Sequence, residues 1–284
     1  MVGKIAKDHW HPGFLGAIEI EFIGYKDNLI FDDEHELSRE PLKMDLLIIK
    51  KNKGAVIQNQ IGEIFREHNV FEYKSPEDGL TIDDYYKTVG YAYLYKGLGK
   101  TVNEIPSSEL TVTLVRDVKP VAFFKEVELA GGNIEEKYPG VYRISGLVNI
   151  PTQFVLTKSL DRKLHISLRL LTKHLTEEDA ARFIEMASKF TEPGDRHNAD
   201  ALLQVSISAN KEVYENMKRR DPLMCQALKE LMKDEIMEER QDERRRVATD
   251  MLKENMPLSM IEKISKLPEE TIRSLAKSLG IVLL

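Results

Sequence analysis

Three charged residues beside apolar segments have the types and spacing that metal-assisted chemistry requires. Asp45 precedes the run LLII at 46–49, whose lack of alternation predicts a strand covered on both faces. In the segment VFEYK at 70–74, alternation places Glu72 and Lys74 on one face of a second predicted strand. A carboxylate beside such an apolar run is costly to bury unless it is paired or bound to a metal. If the two strands pair, two carboxylates and an ammonium group converge.

This set of groups suits the hydrolysis of a phosphodiester. Magnesium prefers oxygen ligands and keeps several waters, so one or two carboxylates suffice to bind it. We expect Asp45 and Glu72 to bind Mg²⁺, with Mn²⁺ as a substitute, and the backbone carbonyl of Tyr73 to be a further ligand. Lys74 is expected to orient or help to deprotonate the attacking water and to stabilise charge on the phosphate. Glu21, near the packed stripe of the preceding predicted helix, is expected to support the metal shell.

The E-x-K pattern is weak evidence by itself. It recurs as EEK at 135–137, which runs into the turn YPG at 138–140, and a similar DRK at 161–163 lies in a polar linker. From the pattern alone, an ordinary ion pair between Glu72 and Lys74 on a solvated strand face is an equally good interpretation.

The periodicity of the chain predicts an α/β fold, a mixed sheet flanked by helices, over residues 1–175. The catalytic part spans about 10–130. Helices are predicted at 11–23, 61–68, 81–95 and 120–129, and strands at 44–50, 70–74, 110–115, 141–144 and 152–156, of which the last two form a hairpin. From 176 to 284 nearly all of the sequence has helical period, so we expect an all-helical C-terminal region.

The predicted helix at 81–95 carries five of the ten tyrosines. Tyr86 and the adjacent Lys87 are candidates for substrate binding, through the phosphate backbone or by stacking on an unpaired base. Packing against the sheet is the competing interpretation, and we favour it for most of these tyrosines.

The segment 257–280 has the pattern of two short helices joined by the tight turn Leu267-Pro268, as in a helix-turn-helix. Glu269 and Glu270 begin the second helix, where they would repel DNA phosphates. Packing or formation of a homodimer is therefore favoured over contact with DNA.

The composition limits how the chain could bind nucleic acid. Forty-one basic and 47 acidic residues give a formal net charge of −6, so DNA binding would depend on a local site at which a metal neutralises the acids. No apolar stretch is long enough to cross a bilayer, and no apolar run follows the first lysines as in a secretory signal. The single cysteine, Cys225, excludes an intrachain disulfide. These features predict a cytoplasmic protein without a membrane partner.

Several segments resemble the recombination-promoting nuclease and transposase family of the PD-(D/E)xK superfamily. They are WHPGFLGAIEIEF, REPLKMDLLIIKKNKG, IGEIFREHNVFEYKSPEDGLTIDDYYKTVGYAYLYK and the tail MLKENMPLSMIEKISKLPEETIRSLAKSLGI. Asp45 matches the aspartate of the superfamily motif, Glu72 and Lys74 match E-x-K, and Glu21 matches the helix carboxylate. Met44 stands in the position of the motif's proline.

The resemblance implies a restriction-endonuclease-like fold, a magnesium-dependent DNA endonuclease and an association with recombination or transposition. Two other functions stay open. One is a non-catalytic interaction or DNA-binding protein with a vestigial site, and the other is a nuclease that cleaves RNA.

Overall fold

The structure is a computed structural model that describes residues 10–32, 46–220, 226–228, 244–254, 256–279 and 281. The chain divides into two units, Met1–Ala227 and Leu228–Leu284. The first contains a mixed sheet flanked by helices, and the described part of the second is helical. The predicted mixed α/β sheet and helical C-terminal part are therefore confirmed. The first unit extends beyond residue 175, where the sequence places the end of the α/β core.

The described residues form a seven-stranded sheet in the order β1-β2-β3-β4-β7-β6-β5. The strands are β1 (Leu29–Asp32), β2 (Leu46–Lys51), β3 (His68–Tyr73), β4 (Leu110–Arg116), β5 (Asn133–Tyr138), β6 (Val141–Ser145) and β7 (Thr152–Leu156). β1, β2 and β3 pair antiparallel, β3, β4 and β7 pair parallel, and β7, β6 and β5 pair antiparallel. The central parallel strands β4 and β7 are buried along almost their whole length, as expected for strands covered on both faces.

Seven helices of the first unit are described: α1 (Trp10–Glu21), α2 (Ile82–Gly97), α3 (Val121–Leu129), α4 (Ile166–Arg169), α5 (Glu177–Ala187), α6 (Pro193–Ala209) and α7 (Lys211–Arg220). The predicted helix at 61–68 is a single 3-10 turn, Gly62–Ile64, followed directly by β3. The EEK triplet at 135–137 lies on the exposed edge strand β5. The hairpin predicted at 141–156 is present as β6 and β7.

The two faces of the sheet are covered by different helices. On one face, Val70 of β3 packs in a core with Tyr85 of α2 and Phe123 of α3. On the other, the ring of Phe14 in α1 stacks on the ring of Tyr73 with centroids 4.6 Å apart. Since alternate residues of a strand face opposite ways, the residue between Phe71 and Tyr73 is on the face covered by α2.

The start of α2 is set by a capping box. Thr81, in extended conformation, accepts a hydrogen bond from the backbone of Asp84, and the Asp84 side chain accepts one from the backbone of Thr81. From this start, Tyr85, Val89 and Ala92 recur at helical spacing and are buried against the sheet. The cap and the apolar stripe together fix which side chains of the first turn face the end of β3.

Among its described residues, the second unit has a helical segment at 244–253 and two short helices, α8 (Leu258–Ser265) and α9 (Glu269–Leu279). Lys266 ends α8 in the left-handed conformation with φ of 56°, and the turn leads directly into α9. Ile261 and Ile272 are buried in a small apolar core of this unit. No helix in the described ranges is long and apolar enough to span a membrane.

Candidate active site

The candidate site lies where β3 ends between two neighbouring strands. Glu72 is paired with Leu46 of β2 on one side and Leu114 of β4 on the other. Lys74 follows the strand, and its backbone N–H donates to the carbonyl of Val115 at 2.9 Å. The backbone of both residues is therefore held by the sheet. Their side chains meet, with Lys74 Nζ 3.0 Å from Glu72 Oε1.

A third side chain, Asp84 of α2, completes this cluster. Its Oδ1 lies 2.8 Å from Lys74 Nζ, and its Oδ2 accepts hydrogen bonds from the backbone and the hydroxyl of Thr81 at 2.9 and 2.8 Å. The side chains of Glu72, Lys74 and Asp84 are 14%, 15% and 22% exposed. Asp84 was not among the site residues predicted from the sequence, although the T-x-x-D capping pattern at 81–84, after the E-x-K segment, marks it.

Burial and charge act in opposite directions on these groups. Burial raises the pKa of Glu72, and the nearby charges of Lys74 and Lys87 only partly offset it. Burial alone would lower the pKa of Lys74, but its contacts with Asp84 and Glu72 outweigh burial and the pKa is raised. Burial would raise the pKa of Asp84, yet the hydrogen bonds from Lys74 and Thr81 lower it. The cluster thus favours an ammonium group between carboxylates.

Lys87 and Tyr86 lie one turn further along α2. The charge of Lys87 acts on Glu72, and its Nζ also lies 5.5 Å from the centre of the Tyr91 ring. Tyr86 is 43% exposed, whereas Tyr85 is buried in the core. The structure therefore leaves Lys87 and Tyr86 accessible and brings the charge of Lys87 to bear on Glu72, and contact of either residue with a substrate stays a prediction.

The two other predicted metal ligands are Asp45 and the backbone carbonyl of Tyr73. Asp45 lies outside the described residues. The described strand β2 begins at the next residue, Leu46, which is the residue paired with Glu72. Tyr73 is the last residue of β3 and its ring stacks on α1, so only its backbone is a candidate ligand on the side of Glu72. That role also stays a prediction.

Glu21 has a separate set of partners. Its carboxylate accepts hydrogen bonds from Asn59 Nδ2 at 2.7 Å and from the hydroxyl of Ser167 at 3.2 Å, and it shares one with His165 Nδ1. The side chains of Glu21 and His165 are each 1% exposed. Because α1 covers the face of Tyr73, the structure groups Glu21 with this buried network and does not bring it to Glu72 and Lys74.

A further buried acid, Asp117, directly follows β4. Its Oδ2 accepts a hydrogen bond from Thr172 at 3.2 Å, and its Oδ1 has no hydrogen-bond partner among the described residues. Burial raises the pKa of this carboxyl. Burial also raises the pKa of Tyr73, and the charge of Asp117 adds to that effect. The signal for Asp117 in the sequence is an acid that closely follows the strand predicted at 110–115, whereas Asp45 precedes its strand.

In the ranges that the structure covers, no group of three or more His, Cys, Asp or Glu side chains is arranged to hold a metal ion, and Asp45 is not in those ranges. Comparisons of the chain with models of protein families, with curated proteins and with solved structures gave no match. A function for this chain is therefore inferred from the residues and geometry of the site.

Proposed function

We propose that this chain is a magnesium-dependent nuclease of the PD-(D/E)xK class that hydrolyses DNA phosphodiester bonds. The observation that carries the proposal is the contact of Glu72 and Lys74 at 3.0 Å at the end of a strand whose partner begins just after Asp45. The helix–three strands–helix–strand order of residues 10–116 is compatible with the restriction-endonuclease-like fold that the resemblance implies. An association with recombination or transposition rests on the resemblance alone.

The donor set fits a hard divalent cation. Glu72 supplies carboxylate oxygens and is partly exposed, Asp45 supplies another carboxylate by its place in the sequence, and the Tyr73 carbonyl is a third oxygen donor. Oxygen donors of this kind suit Mg²⁺ or Mn²⁺. When bound, such an ion would polarise the scissile phosphate and lower the pKa of a water molecule.

The remaining groups of the site act on the substrate. Lys74 places a positive charge next to Glu72, where it would donate hydrogen bonds to the phosphate oxygens and orient the attacking water. Lys87 adds a second positive charge on the same face, and Tyr86 offers an exposed ring for stacking on a base. These local cations would offset the negative charge of the whole chain.

A structural ion pair is the second candidate role for the site. Lys74 is held by Glu72 and Asp84, and Asp84 is itself fixed by Thr81, which is also what a stabilising cluster without catalytic activity would show. In that case the chain would be an interaction or DNA-binding protein, or would form a homodimer, and would retain the E-x-K residues at 72–74 without catalytic activity. Metal titration separates the two roles because only the catalytic one requires cation binding.

The test is a cleavage assay on plasmid, linear and single-stranded DNA and on RNA, with Mg²⁺, with Mn²⁺ and with excess EDTA. We expect cleavage of DNA that depends on the metal and is abolished in Asp45→Ala and Glu72→Ala. Glu135→Ala is the matched control, because it changes the exposed EEK triplet on β5 and should cleave normally. Activity that survives EDTA, or equal activity in Glu72→Ala and Glu135→Ala, would contradict the proposal. Cleavage of RNA alone would change the substrate to RNA.

A further inference from the structure

Within the described residues, Lys74 contacts two carboxylates, and only one of them belongs to E-x-K. The shorter contact is to Asp84 at 2.8 Å, against 3.0 Å to Glu72. Asp84 belongs to a different element, the first turn of α2. A lysine side chain is long and flexible, so a second anchor from a separate element determines where its ammonium group lies.

The Asp84 side chain is itself held in place in the absence of a ligand. Asp84 Oδ2 is engaged by the backbone and the hydroxyl of Thr81, which directs Oδ1 to Lys74. The carboxylate lies in the first turn of a helix, where the dipole favours negative charge. Behind it, Tyr85 and Val89 bury α2 against the sheet. Asp84 therefore presents a rigid negative group, whose position depends on packed core residues.

The two carboxylates would differ when a cation binds. With a divalent ion at Glu72, the Lys74 ammonium group would share the same oxygens and be repelled by the like charge. Asp84 would keep its contact with Lys74, because its second oxygen is occupied by Thr81 and its helix is packed against the sheet. Lys74 would then be retained at the site by Asp84 instead of swinging out into solvent.

We propose that Asp84 is a positioning residue, which holds the Lys74 ammonium group beside the reacting phosphate while Glu72 binds the metal. This inference rests on the proposed nuclease function. It assigns no contact between Asp84 and the metal or the substrate.

The test compares Asp84→Asn with Asp83→Asn, each in the wild-type and in the Lys74→Met background. Asp83 precedes Asp84 in the same first helical turn and is exposed, so the control removes an equal charge from the same helix end. In the wild-type background Asp84→Asn should lower kcat about 10- to 100-fold, the range that misplacement of a reacting group produces, with KM changed by less than about threefold.

The Lys74→Met background shows whether the effect of Asp84→Asn on the rate depends on Lys74. If Asp84 acts through Lys74, Asp84→Asn should change the residual single-turnover rate of Lys74→Met by less than about twofold. A similar loss in both backgrounds, or a loss no larger than that of Asp83→Asn, would overturn the inference. Titration of the wild type and the variants with Mn²⁺ alone is the second readout. A loss of Mn²⁺ affinity in Asp84→Asn as large as in Glu72→Gln would make Asp84 a ligand and also overturn it.

A measurement without metal keeps this inference distinguishable from the proposed function. The thermal midpoint should fall in Asp84→Asn, which loses an attraction to Lys74. In Lys74→Met the same change should lower it less, or raise it, because the bonds to Thr81 are weakened in both backgrounds but a repulsion from Glu72 is then removed. An equal fall in both backgrounds would contradict the contact itself. If the wild-type protein cleaves no substrate, the proposed function is wrong. If the wild type is active and Asp84→Asn is equally active, only this inference is wrong.

Discussion

Replacing Lys74 by methionine should destabilise the first unit far more than the loss of a surface lysine. Methionine keeps most of the length of the side chain but removes the ammonium group that contacts both Glu72 and Asp84. The two carboxylates are then left close together on a mostly buried part of the sheet. Each must lose its charge, repel the other or recruit a cation from solution.

The magnitude follows from how buried the three groups are. Breaking a buried ion pair by removing one partner costs about 3–5 kcal/mol, whereas an exposed pair is worth about 0–1 kcal/mol. With 14–22% of their side chains exposed, these groups lie nearer to the buried limit, and we expect a loss of about 2–4 kcal/mol at neutral pH. The loss should shrink as the pH falls, because the raised pKa of Glu72 rises further without Lys74 and protonation ends the repulsion.

Magnesium should restore part of this stability if the site binds a cation. A ligand that binds only the folded state stabilises it by about 2.7 kcal/mol when its free concentration is about 100 times Kd. The carboxylates of Lys74→Met lack the competing ammonium group, so Mg²⁺ should raise the free energy of unfolding of this variant more than that of the wild type.

Urea unfolding followed by tryptophan fluorescence measures these effects. Trp10 is the single tryptophan of the chain, and it is buried in α1 of the first unit. Lys53→Met is the matched control, because Lys53 lies exposed in the turn after β2. Equal free energies of unfolding for the two variants would refute the argument from burial. A full loss of stability in Lys74→Met that Mg²⁺ does not reduce would refute cation binding at these carboxylates.

Four further predictions concern other parts of the molecule. At neutral pH, Asp117→Asn should unfold at the same or a higher urea concentration than the wild type, because a carboxyl with a raised folded pKa costs stability when it is ionised. This difference in stability should vanish toward about pH 4, where the carboxyl loses its charge. Gly16→Ala should lower the free energy of unfolding by about 1–3 kcal/mol, since its Cβ would lie 2.6 Å from the carbonyl of Asn198. Gly90→Ala, in open space on α2, should raise it by about 0.5–1 kcal/mol. Ile272→Ala should remove about 2–4 kcal/mol from the second unit, measured by amide hydrogen exchange in α8 and α9; unchanged exchange there would contradict the described core.

The sequence by itself determined the features that depend on neighbouring residues. Period-two alternation placed Glu72 and Lys74 on one face, and they meet there. Helical spacing located α2, and the segment LTVTLV at 110–115, in which four of the six residues are β-branched, located the buried strand β4. These are local patterns, because the pleat of a strand and the turn of a helix fix the direction of each side chain.

Only the tertiary structure decided which elements meet at each face. The order of the seven strands, which puts the second E-x-K triplet on an exposed edge, depends on pairings between distant segments. Asp84 reaches Lys74 because α2 folds back over the end of β3. Glu21 is enclosed by Asn59, His165 and Ser167, two of which lie more than a hundred residues away in the sequence. The periodicity of a sequence predicts that a side chain is buried but does not predict which residues bury it. Those residues come from whichever element packs best on that face of the sheet.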